Sequence, residues 1–303
     1  MSQFVQDLEK KLKGSVLAEE PLRKHTTIRI GGPAEVLIIP ADQQDVVDAV
    51  RIAAEYGKQV TIIGNGSNLL VSDNGIPGLV VKLVGGMTTW KLQGNSLVAE
   101  SGCLLPALIF HTIDAGFSGL EFAAGIPASL GGALVMNAGA NGGEIGSLVE
   151  EVQACNAAGE VVHFSQGACR FGYRQSVFQS EQWIILAARI NLQAGDKAAS
   201  LARVKQLLGK RKQIQPLDLP NAGSIFRNPI GGVAGKLIDE AGCKGLKAGG
   251  AMISNKHANF IVNVENATAA DVLELIERVK TMVMAKHGIE LHPEVRMLGF
   301  SRG

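Results

Sequence analysis

Val60-Thr61-Ile62-Ile63-Gly64-Asn65-Gly66-Ser67-Asn68-Leu69-Leu70 is a short β-branched run that ends in a glycine-rich turn. Such a turn puts bare backbone amides where a phosphate can reach them. The stretch departs from the Rossmann phosphate loop, which places a third glycine where Leu69 stands and starts a helix directly behind it. Here Leu69-Leu70-Val71 stays apolar and Asp73-Asn74-Gly75 turns the chain. The stretch is a candidate phosphate cradle of another kind, and that kind decides the fold.

The 303 residues allow two or three domains. Hydrophobic residues make up 46% and charged residues 19%, which suits a folded chain with a real core. A net charge of +1 gives no electrostatic footprint for nucleic acid or an anionic membrane. The start, Met1 to Gly14, has helical spacing rather than a signal peptide's uncharged core, and no apolar run approaches the ~20 residues of a membrane span. Cys103, Cys155, Cys169 and Cys243 lie far apart without a CxxC pair, so neither a metal site nor a disulfide framework is expected. These features predict a cytoplasmic protein, and the absence of a long exposed apolar stripe leaves a monomer as the default. The 37 glycines cluster at 64–66, 125–146 and 242–250. That clustering suggests tight turns near a ligand.

Hydrophobic periodicity gives an α+β chain in three blocks. Glu35–Ile39, a helix capped by Asp42 and running through Tyr56, and Gln59–Ile63 read as a βαβ unit with a parallel pair, continued by Leu79–Leu83. Next come a hairpin at Trp90–Glu100, a helix over Leu104–Ala115, a hairpin at Glu151–Phe164, and a long buried strand at Trp183–Leu192. After a helix at Lys197–Lys212 the last block holds a helix at Ala234–Ala241 and a strand at Asn259–Val264. A helix at Thr268–His287, capped by Thr268 and Asp271, and a strand at Glu294–Leu298 complete it. The expected division is 1–83, 84–200 and 201–303, with the last strand returning toward the first part.

Four pieces carry candidate chemistry. Ala123 to Gly143 is small, apolar and nearly uncharged, and contains Gly125, Ile126, Pro127, Ser129, Gly131, Gly132 and Gly139. It reads either as a surface for a flat ligand or as a glycine-rich helix packed on a sheet; beside the 64–68 loop, a large nucleotide cofactor is favoured. Phe171-Gly172-Tyr173-Arg174 sets an arginine behind an aromatic, suited to carboxylate or phosphate, although a surface arginine is the default. Asn221-Ala222-Gly223-Ser224 is a polar turn whose serine has no adjacent base, so it is no hydrolase nucleophile. His292-Pro293-Glu294 offers a carboxylate, and His257 reads as a loop histidine.

In this order the pieces resemble the UDP-N-acetylenolpyruvoylglucosamine reductase family. The matching stretches are Thr26–Ala34, Gly64–Leu70, Gly125–Gly143, Tyr173-Arg174, Gly223–Pro229, Ala234–Glu240 and Pro293-Glu294-Val295, from about residue 20 to 300. The resemblance implies a vanillyl-alcohol-oxidase-type FAD-binding fold of two subdomains with a small α+β substrate-binding lobe. It implies FAD as cofactor, held by Gly64, Asn65, Gly66, Ser67, Asn68 and Leu69 at the pyrophosphate and by the Gly125–Gly139 residues along the flavin. NADPH is the implied hydride donor and a UDP-sugar enolpyruvyl ether the implied substrate.

By the same resemblance Arg174 faces the developing charge, Glu294 is its partner and Ser224 gives the proton to C2. Tyr173, Asn228 and Glu240 match substrate-contacting positions. Ala128 stands where glycine is expected, Asn65 where arginine or glutamate is common, and Glu240 where some relatives have glutamine. The short interval from Arg174 to Ser224 marks the subfamily without an extra tyrosine-bearing loop. Two alternatives stay open: another FAD oxidoreductase of this fold acting on alcohols or sugars, and a non-catalytic nucleotide-binding protein.

Overall fold

The computed structural model describes residues 2–179 and 183–300. The chain forms two compact units. The first comprises Met1–Ala18, Val36–Asn65 and Gly78–Lys210, and the second Glu19–Glu35, Gly66–Pro77 and Arg211–Gly303. Among the described residues no helix is long and apolar enough to cross a membrane.

Helix α1 (Gln3–Lys11) opens the chain, its N-terminus capped by the Ser2 hydroxyl. Five strands follow: β1 (Ser15–Pro21), β2 (Pro33–Ile39), β3 (Val60–Ile63), β4 (Leu69–Val71) and β5 (Ile76–Lys82), with helix α2 (Gln43–Glu55) between β2 and β3. The sheet order is β1-β2-β5-β3. The βαβ reading therefore needs one correction: β3 pairs in parallel not with β2 but with β5, which lies between them. The near-continuous burial of Leu79, Val80 and Val81 suits an interior strand, whereas β3 buries only Ile63. α2 packs Val46, Val47, Ala49, Val50 and Ala53 into a core shared with Phe4, Val5 and Leu8 of α1. Its spacing and Asp42 cap made it legible in the sequence.

Asp45, in the first turn of α2, ties neighbouring segments to the helix. Only 2% exposed, it accepts hydrogen bonds from the backbone amides of Lys13, Gly14 and Ala41 at 3.0, 2.8 and 2.8 Å. It thereby satisfies three amides of two chain segments.

The hairpin β6 (Trp90–Gln93) and β7 (Ser96–Glu100) belongs to a five-stranded antiparallel sheet. Its order is Val161–Ser165, Val149–Cys155, Ile184–Asn191, β7, β6. Helices α3 (Leu105–Asp114) and α4 (Leu130–Val135) join its core through Leu105, Leu108, Ile109, Leu130, Ala133 and Leu134. Helix α5 (Lys197–Ile214) adds Val204 and Leu207 and leads the chain into the second unit.

In the second unit, helices α6 (Ala234–Glu240) and α7 (Ala269–His287) pack with a three-stranded antiparallel sheet, Lys247–Ala248, Ala251–Ile253 and Ile261–Asn263. Ile28, Ile30 and Leu70 lie in the same core as Ile238, Leu275 and Ile276, which is why 19–35 and 66–77 group here. Thr268 and Asp271 form the expected capping box on α7. Asp73 adds to it, accepting from the Ala269 and Ala270 amides at 2.8 and 3.1 Å. The closing strand is Arg296–Leu298, parallel to β4 and shorter than read from sequence. The amides of Glu294 and Val295 are both directed to the Ile225 carbonyl instead.

Two measurements test this frame. Asp45→Ala orphans three amides and should lower stability by about 2–4 kcal/mol in urea unfolding; a change below ~0.5 kcal/mol would remove Asp45 from the framework. Burial pushes the thiols of Cys103, Cys155 and Cys169 up to about 11 from 9.0. A folded value above the unfolded one contributes stability that is full below pH 9 and lost as pH rises toward 11. The urea midpoint should fall across that window, and fall less steeply in Cys155→Ala.

Candidate active site

The first unit joins two of the sequence-predicted segments. The Asn65 side chain donates to the Pro127 carbonyl at 2.6 Å. A Cβ on Gly64 would stand 2.5 Å from Ser129 Oγ and 4.0 Å from the Gly132 Cα. Ser129 Oγ itself accepts from the Gly132 amide at 3.2 Å and caps α4. Gly131 is as tightly placed, its Cβ position 2.8 Å from Ser101 Cβ, and its amide donates to the Ser101 carbonyl at 2.9 Å. Gly125 takes a φ of +83°, which turns the chain before Ile126 and Pro127. The result is glycine backbone packed against two small serines, a surface suited to a flat or diphosphate-bearing group. The stretch is not one long helix: α4 has six residues, and Gly139–Ala140 pairs with Gly143–Glu144 as a small hairpin.

Tyr173 and Arg174 occupy the tip of a tight turn in the same unit. Gly172 and Gln175 exchange both backbone hydrogen bonds at 3.0 Å, and Arg174 takes a φ of +55°. The Arg174 guanidinium donates to the Gly139 carbonyl at 3.0 Å, and its carbon sits 5.3 Å from the Tyr173 ring centre. Asn137 anchors this turn. Fully buried, it donates to the Gly172 carbonyl and accepts from the Gly146 amide, both at 2.9 Å. Ser176 and Gln179 both donate to the Val135 carbonyl, at 2.7 and 2.8 Å, and Gln179 also to the Arg174 carbonyl at 2.9 Å. Arg174 is thus tied to the glycine-rich segment rather than left as a surface arginine. The sequence signal for Asn137 was slight: a single amide inside an apolar run.

The second unit gathers the remaining pieces. Gly66, with φ +66°, passes so close to His25 that a Cβ would meet its carbonyl oxygen at 2.0 Å. Thr27 donates its amide to the Gly66 carbonyl at 3.1 Å and its hydroxyl to the Asn221 carbonyl at 2.7 Å. The turn before Ser224 follows: Asn221 Oδ1 accepts from the Gly223 amide at 3.0 Å, and Gly223, with φ +74°, lies beside the Ser67 carbonyl. Glu294 is held on the adjacent segment, its amide donating to the Ile225 carbonyl at 2.7 Å. Ser224 and Glu294, 70 positions apart, therefore sit on paired backbone with Ser67-Asn68-Leu69 alongside.

Asn259 completes this arrangement by a two-way amide contact with Phe226, accepting from its N–H at 2.9 Å and donating to its carbonyl at 2.8 Å. Asn228, an exposed residue, accepts from the Ala234 amide at 3.0 Å, setting the start of α6. Glu240 lies at the opposite end of α6, its carboxylate 3.7 Å from both Lys236 and His287. Burial pushes His257 below the usual imidazole range, and its Nδ1 accepts from the Asn259 amide at 3.2 Å. It sits in a loop, as the sequence suggested, but its ring packs against Phe260.

Comparison with known proteins agrees with both halves. Residues 34–165 match the family model of an FAD binding domain, and residues 215–298 that of the UDP-N-acetylenolpyruvoylglucosamine reductase C-terminal domain. All of the chain aligns, 45% identical, with 96% of the UDP-N-acetylenolpyruvoylglucosamine reductase of Heliobacterium modesticaldum. It is 42% identical to that of Bacillus subtilis with both chains fully covered. The chain belongs to the UDP-N-acetylenolpyruvoylglucosamine reductase family. The crystal structure of the Thermus caldophilus reductase superposes with a TM-score of 0.81 at 37% identity, covering 95% of this chain and 99% of that one. An alkyldihydroxyacetonephosphate synthase shares the fold alone, with a TM-score of 0.50 at 17% identity over 64% of this chain and 41% of that one. The fold is the α+β, vanillyl-alcohol-oxidase-type FAD-binding fold with its small substrate-binding lobe.

FAD fits the residues present. Gly64 and Gly131 lie where a Cβ would collide with Ser129 and Ser101, and Asn65 ties the two segments together through the Pro127 carbonyl. Gly66→Ala should reduce FAD retention by at least about tenfold, because strain at positive φ and the His25 clash each cost on the order of 1–3 kcal/mol. Flavin absorbance per protein after gel filtration reads this directly, and retention within twofold of the parent would contradict the loop assignment.

Proposed function

We propose that this protein reduces the enolpyruvyl ether of UDP-N-acetylglucosamine to UDP-N-acetylmuramate with NADPH, in the cytoplasm, as a step of peptidoglycan precursor synthesis. The observation that carries the reading is Ser224 and Glu294 held on paired backbone next to the Ser67–Leu69 loop. Family membership supplies the reaction class. A monomer acting on a small molecule, without nucleic acid or membrane, suits the balanced charge. Two FAD-binding parts, 1–83 and 84–200, with a substrate part from 201 onward, describe the proposed division of labour along the chain.

FAD held by these residues would supply hydride transfer from NADPH to the enolpyruvyl group. Hydride addition at C3 of the substrate would build negative charge at C2, spread into its carboxylate. Arg174 offers that charge a guanidinium whose position is set beforehand by Gly139 and the Asn137-anchored turn. Glu294 is the carboxyl proposed to serve the same reaction. Ser224 Oγ gives the proton to C2. A hydroxyl is a weak acid, so it serves only at short range against a strongly basic carbon. That requirement explains a serine without an adjacent base, fixed instead by a rigid Asx turn. Tyr173, Asn228 and Glu240 are proposed substrate contacts.

The Gly64–Leu69 residues and Gly125, Ile126, Pro127, Ser129, Gly131, Gly132 and Gly139 are the proposed cofactor contacts. A non-catalytic nucleotide-binding protein would have no use for a serine held in this way. An alcohol or sugar oxidase would give reoxidation by oxygen in place of the enolpyruvyl substrate.

The test is a purified yellow protein whose NADPH oxidation depends on the enolpyruvyl sugar nucleotide; oxidation indifferent to that compound would overturn the reading. Ser224→Ala should leave flavin reduction by NADPH near the parent rate and slow substrate-driven reoxidation by about 10²–10⁴-fold. Equal loss in both half-reactions would remove Ser224 from proton delivery.

A further inference from the structure

Asn68 belongs by resemblance to the cofactor loop, yet its side chain is committed elsewhere. Its Nδ2 donates to the Glu294 carbonyl at 3.2 Å, while its own carbonyl accepts from the Arg296 amide at 3.0 Å. The two contacts lie on either side of one residue step in the same strand. β4 and Arg296–Leu298 run parallel with Arg296 opposite Leu69, Met297 opposite Leu70 and Leu298 opposite Val71. In a parallel ladder each residue bonds to the neighbours of the one opposite it, so the next step would address the Glu294 carbonyl from position 68. The Asn68 side-chain amide reaches that carbonyl from just beyond the last registered pair, Arg296 opposite Leu69.

The other backbone group of Glu294 is engaged as well. Its amide donates to the Ile225 carbonyl at 2.7 Å, one residue beyond Ser224. Pro293, opposite Phe226, removes one soft backbone angle immediately before it. Glu294 is therefore held at its amide by the serine segment and at its carbonyl by the cofactor loop. Only the first hold is independent of the residues that would carry FAD.

We infer that Asn68 is a positioning residue for Glu294: its side-chain amide sets the backbone of the glutamate, so that the loop assigned to FAD also fixes the carboxyl used on substrate. The inference rests on the proposed reductase reading of this site. It assigns the Asn68 side chain to Glu294, leaving the loop's backbone for the cofactor. A side chain at this place must be short, neutral and able to donate. Aspartate matches the shape but has no N–H, and its charge would face the carbonyl oxygen at the same distance. Glutamine keeps the donor with one more methylene.

Stopped-flow absorbance of the FAD-loaded enzyme separates the roles, with flavin content and melting temperature recorded for each variant. In Asn68→Asp, reoxidation by the enolpyruvyl sugar nucleotide should slow about tenfold or more, the scale of one lost hydrogen bond to a reacting group's anchor. Per bound flavin, reduction by NADPH should slow several-fold less than reoxidation does, and Asn68→Gln should recover most of the lost reoxidation rate. The pH profile of reoxidation should shift in Asn68→Asp, since the Glu294 carboxyl then sits in an altered place.

A fall in flavin content with normal reoxidation per bound flavin would overturn the inference and return the side chain to the cofactor. Equal slowing of both half-reactions, or no recovery with glutamine in a protein that melts like the parent, would overturn it too. A parent enzyme that reduces its flavin with NADPH but is not reoxidised by this substrate would instead overturn the proposed function, whatever Asn68 does.

Discussion

Gly64 lies so close to Ser129 that a Cβ there would stand 2.5 Å from the serine hydroxyl, and this approach is the constraint on which the structure depends. Ser129 stands in the remaining space, and its hydroxyl is spent on the Gly132 amide. Asn65 closes the contact from the other side through the Pro127 carbonyl. From this seam the glycine-rich segment leads through α4 to Asn137, and Asn137 sets the turn that bears Arg174. A surface for a flat cofactor and the position of a cation are thus parts of one folded unit.

The second unit applies the same economy to a serine and a glutamate. Each is held by backbone: Ser224 by the Asn221–Gly223 turn, Glu294 by Ile225. The parallel pairing of Arg296–Leu298 with β4 brings the loop's exit strand beside them. Asp73, at the end of that strand, fastens it to the N-terminus of α7. Rigid backbone is what a weak acid such as a serine hydroxyl requires, because its usefulness falls quickly with distance.

Much of this was legible in the residues. The strand before Gly64, α2 with its Asp42 cap, both large-sheet hairpins and α7 with its Thr268–Asp271 box follow from periodicity and capping. The failed Rossmann match at Leu69 was informative, since Leu69–Val71 is a strand and not a helix start. What escaped were long-range pairings. That β5 separates β2 from β3, and that β4 pairs with a strand more than 200 residues away, depends on contacts that no local pattern encodes. β1, with Glu19-Glu20 in a half-exposed strand, had no clean alternation to read. Asn137 and Asn259 escaped because a buried amide gains its role from partners far along the chain. The full-length likeness to reductases of one family places the chain in that family, and the individual roles are proposed from where the backbone holds each residue.

The central claim is that hydride and proton reach neighbouring carbons of one substrate from two sources, the proton from Ser224. Turnover with deuterated NADPH in ordinary water, and with ordinary NADPH in deuterium oxide, followed by NMR of the product, tests it most directly. The account predicts that label from NADPH reaches C3 and never C2, while C2 takes its hydrogen from solvent. Label from NADPH at C2, or a product made in deuterium oxide with no deuterium at C2, would contradict it.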